Sequence, residues 1–264
     1  FNTMLERPEG LPLILSPEQA TGFAQAVHQA FEGNTDPDID RLGAPTLVMV
    51  KGEYRSSVIV YPENGVLPYN ELGIQMSSYQ YFDGTGFDHP EQRPGVERCT
   101  EAWGAPPMRA FAYQLFHGIV QTADTIALMS EEVNPLRVIH MDGQSRPDVI
   151  RTLEGHSIGH WEGDTLVIHT QHFYQNQNSR GSSASMQLEE RPSCIDENTL
   201  EYDFTMQNPQ TWDVSWSAKL PMRRIEDPLF EYACHEGNHG LPGILAGWRR
   251  YETMGMNGDG TPKE

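Results

Sequence analysis

The sequence predicts a mainly β protein: an antiparallel β-barrel or sandwich with an N-terminal helix and a short C-terminal helix. Three observations carry that expectation. From Ala112 onward, short segments of strand-like alternation follow one another with polar turns between them. Helical spacing of apolar residues is confined to one stretch near each end of the chain. No run in the 264 residues approaches the roughly eighteen consecutive apolar positions that a membrane-spanning helix needs. The chain reads as a single β-rich domain over 1–264. It divides into an arm and helix (1–45), a hairpin and long loops (46–108), an antiparallel β core (109–254) and a tail (255–264).

The elements follow in order. Ser16-Pro17-Glu18-Gln19 reads as a helix start, with serine at the N-cap, proline at the first helical position and glutamine closing a capping box. Ala20, Phe23, Val27 and Phe31 then recur at helical spacing until Gly33-Asn34. Segments 46–51 and 55–61 flank Gly52-Glu53-Tyr54 as a hairpin. Residues 62–108 lack periodicity and are rich in Gly, Pro, Asp and aromatics, as a lid or rim would be. Strands are then predicted at 112–121, 124–130, 136–140, 147–153, 156–162, 165–171, 184–191, 199–206, 213–220 and 229–234. A short helix closes the set over 242–252.

The best-defined unit is the hairpin 156–170. Gly163-Asp164 supplies a two-residue turn of the primed type, which pairs Glu162 with Thr165, His160 with Val167 and Ile158 with His169. His156, Ile158, His160, Val167 and His169 then share one face, with Trp161, Leu166 and Ile168 on the other. His160 and His169 become diagonal neighbours. His140 and His172 lie close by in the chain, so five imidazoles fall within residues 140–172.

A second concentration of chemistry is Cys234-His235-Glu236-Gly237-Asn238-His239, which contains H-E-x-x-H. On a helix that spacing lets two imidazoles share Zn²⁺ beside a glutamate base. Gly237, Gly240 and Pro242 oppose a continuous helix, however, so the hexapeptide is expected to span a strand-to-helix loop. The backbone N–H groups ahead of the following helix would still favour a functional site there.

Composition narrows the partners. A formal charge of −19, from 37 acidic and 18 basic residues, opposes nucleic acid and anionic membrane surfaces. Three cysteines allow one disulfide. No P-loop, G-x-S-x-G or dinucleotide fingerprint is present. A small-molecule substrate or ligand is the expected partner, and a homo-oligomer is left open.

Two segments carry a resemblance. Gly159-His160-Trp161-Glu162-Gly163-Asp164-Thr165-Leu166-Val167-Ile168 is similar to a G-x-W-E-G-D-T-L-V-V hairpin. Tyr232 to Asn238, with Gly243-Ile244-Leu245-Ala246-Gly247 behind it, is similar to a C-H-E-G-N-Y…G-I-L-A-G signature. Both resemble a widespread family of bacterial, mostly exported β-rich proteins, over about residues 105–252. The resemblance implies a periplasmic or secreted location and a site at 234–238, without implying a reaction. The chain departs from it at His239, where tyrosine is expected, and at His169, where aspartate is.

Two functional expectations follow. The first is a small-molecule enzyme of lyase, isomerase, cyclase or hydrolase type, using His/Glu general acid–base catalysis. His235, Glu236, His160 and His140 are its catalytic candidates, and Trp161, Asn238, Tyr113 and His156 its substrate-binding ones. It needs either no cofactor or one divalent metal ion, with zinc favoured and His235, His239 and His169 as ligands. The second is a non-catalytic exported binding protein in which Cys234 pairs with Cys99, while Glu236 and Asn238 cap the following helix.

Overall fold

In the computed structural model, residues 5–30, 47, 49–78, 86–100, 106–108, 116–131, 133, 135–174, 179–257 and 261–262 are described. Helix α1 (Pro17–Ala30) begins with the capping box its sequence announces. Ser16 Oγ accepts from the Gln19 N–H at 3.2 Å, and Gln19 Oε1 accepts from the Ser16 N–H at 3.0 Å. Ala20, Phe23 and Ala24 pack with Leu15, Leu47 and Tyr54 in a small satellite core. The Val27 side chain and Phe31 lie outside the described residues. A two-residue ladder, β1 (Met49–Val50) with β2 (Glu53–Tyr54), turns through Lys51 and Gly52, both at positive φ.

The main sheet has nine strands. They are β3 (Ile59–Tyr61), β4 (His117–Gln121), β5 (Thr125–Ser130), β6 (Leu136–His140), β7 (His156–Glu162), β8 (Thr165–Gln171), β9 (Gln187–Asp196), β10 (Thr199–Gln207) and β11 (Trp216–Arg223). Their spatial order is β3-β11-β10-β9-β8-β7-β6-β5-β4. Neighbours are antiparallel except at β6 and β7, which run parallel with only Ile139↔Ser157 and His140↔Ile158 in register. The fold is therefore mainly β and sandwich-like, with no closed barrel among the described residues and one parallel step in an otherwise antiparallel order.

That parallel step corrects one expectation. Parallel neighbours need a crossover rather than a tight turn, and residues 141–155 provide it; the predicted strand at 147–153 is absent. The predicted strand at 229–234 is absent too, replaced by irregular chain that enters the helical turn α3 (Cys234–Gly237). A helix the sequence did not announce, α2 (Glu71–Ser78), falls within the aperiodic stretch. The C-terminal helix α4 spans Gly240–Thr253, two residues earlier than its proline suggests.

One core cluster takes residues from every strand between β3 and β5 along the sheet order except β7, and includes Ile59, Ile126, Ile139, Ile168, Leu188, Tyr202, Phe204, Trp216 and Leu220. Each large apolar side chain buried there contributes about 1.5–3 kcal/mol. Trp212 and Trp216 belong to this core, packed edge to face at 5.6 Å.

An ion pair crosses the core. Arg137 on β6 donates from Nη1 to Glu190 Oε2 at 2.5 Å and from Nη2 to Oε1 at 2.6 Å, reaching over β7 and β8 to β9. The two side chains are 5% and 0% exposed. Tyr202 donates its hydroxyl to Glu190 and accepts from the Met108 N–H at 3.0 Å. Thr170 bridges Arg137 to Ser157 at 3.4 and 2.8 Å. Burial alone would lower the Arg137 pKa, but the Glu190 carboxylate raises it above its ordinary value. Burial, and then Glu190, push the Tyr202 phenol well up.

Glu154, at the end of the crossover, keeps an edge in solvent but is otherwise surrounded by protein. Burial raises its carboxyl pKa to about 7, against a smaller opposing pull from Arg137.

Two outcomes follow from this interior. Glu190→Gln strands a buried guanidinium and should lower unfolding free energy in urea by about 3–5 kcal/mol, whereas Arg137→Met/Glu190→Leu together should restore much of the loss. For Glu154 the folded-state pKa lies above the unfolded one, so its favourable contribution is full below about pH 4.5 and is lost as pH rises through about 7. Glu154→Gln should therefore leave the melting temperature nearly unchanged at pH 4 and raise it at pH 8, by on the order of 2 kcal/mol in stability.

Candidate functional site

The register of β7 with β8 is the one the hairpin sequence specifies: Glu162↔Thr165, His160↔Val167 and Ile158↔His169. Gly163 turns at φ +60 without a positive φ at Asp164, the type II′ pattern. Ser157, Leu166, Ile168 and Thr170 face the core, so His156, Ile158, His160 and His169 lie on the opposite face.

The crossover folds back over one end of that face. His156 is 4% exposed beneath it, its Nε2 2.9 Å from the Gln144 carbonyl oxygen. A carbonyl only accepts, so Nε2 carries the hydrogen and Nδ1 is the lone-pair nitrogen. Burial lowers the His156 pKa; the Gln144 hydrogen bond partly offsets this, and the positive charge of Arg146, with His140 and His172, adds to the lowering. Burial and these neighbours favour the neutral ring.

Two further imidazoles flank it. The His140 ring centroid is 5.0 Å away. His172 lies parallel to His156 at 6.4 Å, with 5° between the ring planes. Its backbone holds φ at +63, a conformation costly for a residue with a Cβ. His172 Nε2 faces Asp148 Oδ1 at 3.1 Å, while its Nδ1 is buried with no hydrogen-bond partner. Buried polar atoms seldom go unpaired, and this one lies within a cluster of titratable groups. Gly155 lets the chain enter β7 here: its φ is +70, and a Cβ would stand 2.8 Å from Thr170 and 2.9 Å from the Gln171 carbonyl.

Along the same face an open groove of about 370 Å³ runs over β8, β9 and β10, lined by His169, Thr170, Gln171, Gln187, Leu188, Glu189, Thr205 and Gln207. His160 and His169 stack at 6.1 Å as the diagonal predicts. Both are solvated: His160 is 3.3 Å from Glu162, and His169 is 3.7 Å from Glu189. Arg191 closes the chain of charges, 2.5 Å from Glu162 and 3.8 Å from Glu189. Trp161, at the hairpin tip, is half exposed on the other face. Tyr113 lies outside the described residues.

His235, Glu236 and Asn238 occupy a different place. Cys234 forms a disulfide with Cys99, and Asn238 Nδ2 donates to the Glu97 carbonyl at 2.9 Å. Asn238 Oδ1 accepts from the Leu241 N–H in the first turn of α4 at 3.3 Å, although the N-cap position itself is His239. Phe87 stacks on Trp248 at 4.2 Å and takes Arg93 over its other side at 4.1 Å. Residues 86–100 and 234–253 thus form a clasp. His235 and Glu236 are exposed on it, and no hydrogen bond or ion pair reaches their side chains. His239 lies between the helical turn of 234–237 and α4, at the N-cap of the latter, so H-E-x-x-H is not one helical face. Among the described residues no three His, Cys, Asp or Glu side chains are grouped to hold a metal ion, so His235, His239 and His169 are not assembled as a ligand set.

Sequence reasoning singled out His140, His156, His160 and His169, and the structure brings them together in two adjoining pairs. It did not single out Asp148 and Gln144, which it placed in or near a strand that does not form. Gln171 was legible in principle, since extending the hairpin register by two residues sets it opposite His156. No protein family, curated protein or solved structure matches the chain.

The lowered pKa of His156 has a measurable sign. Stability tied to its neutral ring is present above about pH 6.5 and is lost as pH falls through the folded-state pKa. Heteronuclear NMR titration should show His156 as the Nε2–H tautomer, with a pKa below that of a free imidazole.

Proposed function

We propose that this chain is an enzyme that acts on a small molecule by general acid–base catalysis at the histidine row, with His156 as the base. The observation that carries the reading is the His156 ring: buried, held toward its neutral form, and oriented by Gln144 so that Nδ1 keeps its lone pair. A base of this kind contributes about 10²–10⁴-fold to a proton transfer. His172, facing Asp148, is the second proton-handling group. His140, 5.0 Å from His156, tunes that base. Lyase, isomerase, cyclase and hydrolase reactions all fit two imidazoles acting in this way. The chemistry then lies at the hairpin and crossover rather than at the Cys-His-Glu turn.

The Cys99–Cys234 disulfide supports an exported location, periplasmic or secreted, because such bonds persist in oxidising compartments. The same clasp gives His235 and Glu236 a scaffold rather than a pocket.

The test compares sites. Purified protein is incubated with a metabolite mixture and new masses are followed by mass spectrometry. His156→Ala should lower the conversion found by at least about 10²-fold, and His235→Ala and Glu236→Ala should leave it within about 3-fold. Conversion that survives His156→Ala but disappears with Glu236→Ala would return the chemistry to the turn.

A further inference from the structure

We infer that the groove beside the histidine row binds a neutral ligand rich in hydroxyl groups, of mono- to disaccharide size. The inference rests on the acid–base reading only for what happens to the ligand, not for its binding.

The groove's floor is set by strand register. His156 pairs with Gln171, Thr170 with Leu188, and Gln187 with Gln207. His156, Gln171, Gln187 and Gln207 therefore stand in one row across four strands, about 14 Å long at the spacing of a sheet. The next row is Ile158, His169, Glu189 and Thr205. A volume of about 370 Å³ lies within the range of small-molecule sites.

The lining chemistry selects the ligand. Each glutamine offers two donors and a carbonyl acceptor. None of the three carboxamides is engaged in a hydrogen bond among the described residues, and all three residues are exposed. A hydroxyl group both donates and accepts, which is what a row of carboxamides satisfies. Anions are opposed: no Lys or Arg lines the groove, Glu189 does, and the chain carries −19. Arg191, one row beyond Glu189, is already paired with Glu162 and Glu189. Flat apolar ligands find no platform, because the one apolar lining residue, Leu188, is 2% exposed and turned to the core. His156 ends the row next to Gln171 but is buried and does not line the groove, so the carboxamides place a bound ligand beside the proposed base.

The test uses maltose, cellobiose and N,N′-diacetylchitobiose as probes, with glucose 6-phosphate as the anionic control, titrated into the full chain by calorimetry and NMR. At least one neutral disaccharide should bind more tightly than the phosphate ester. Gln187→Ala and Gln207→Ala should each weaken it about 3–10-fold, the cost of one hydrogen bond, without changing the melting temperature. Absence of binding by all three disaccharides, tighter binding of the phosphate ester, or unchanged affinity in both glutamine variants would overturn the inference. His156→Ala separates it from the catalytic reading. Binding that depends on the glutamines but conversion that ignores His156 leaves the groove standing and removes the base. Conversion that needs His156 with no saccharide binding does the reverse.

Discussion

The fold depends on a buried pair of charges. Arg137 and Glu190 sit three strands apart in the sheet, yet their side chains meet in a core from which water is excluded. Desolvating both ions costs several kcal/mol each, and the geometry offsets that cost only because every contact is made: two guanidinium N–H groups and a phenol converge on one carboxylate. An apolar core of the same volume could be as stable. What the pair adds is position, since only one alignment of β6 with β9 and β10 satisfies all the donors. Ser157 and Thr170, joined to the same network, fix the core side of the hairpin whose other side carries the histidines.

The two faces of β7 thus have separate tasks. Ser157 belongs to the interior network; His156, one residue earlier, points the other way and is buried by the crossover. A histidine on an uncovered sheet face would be solvated, as His160 and His169 are. The crossover makes His156 different by supplying Gln144 as acceptor and Asp148 as the partner of His172. It exists because β6 and β7 are parallel. The topology, more than any single residue, creates the distinctive environment of that ring.

What could be read in advance was what is local. The capping box at Ser16 and Gln19 and the β7–β8 register follow from neighbours in the chain and appear as expected. Residues 147–153 alternate like a strand but make only an isolated bridge, Thr152 with Phe173, and Val149 and Ile150 end up exposed. Phe230 and Tyr232 have strand propensity and are likewise exposed, in a segment tied down by the disulfide. In β6 the usual pattern is reversed: Leu136 and Val138 face out while Arg137 faces in. Ile139 and the distant Glu190 set that phase, and no window around Arg137 contains Glu190. The candidate site was legible to the same extent. The histidines on the hairpin were visible, whereas the groups that orient them come from a connection whose course depends on the whole sheet.

The parallel step also divides the sheet into two meanders, β4–β6 and β7–β11 with β3, each assembled largely from hairpin-like neighbours. The ladder between them holds only two residue pairs, far fewer than those on either side. His140 belongs to one half and His156 to the other, so the histidine row straddles this seam. Contacts within a meander close short loops, while those across the seam must wait for two preformed pieces to dock. A site at this seam therefore depends on the two halves staying together. Amide exchange at Ile139 and Ile158 would report on the integrity of the site as directly as a probe bound within it.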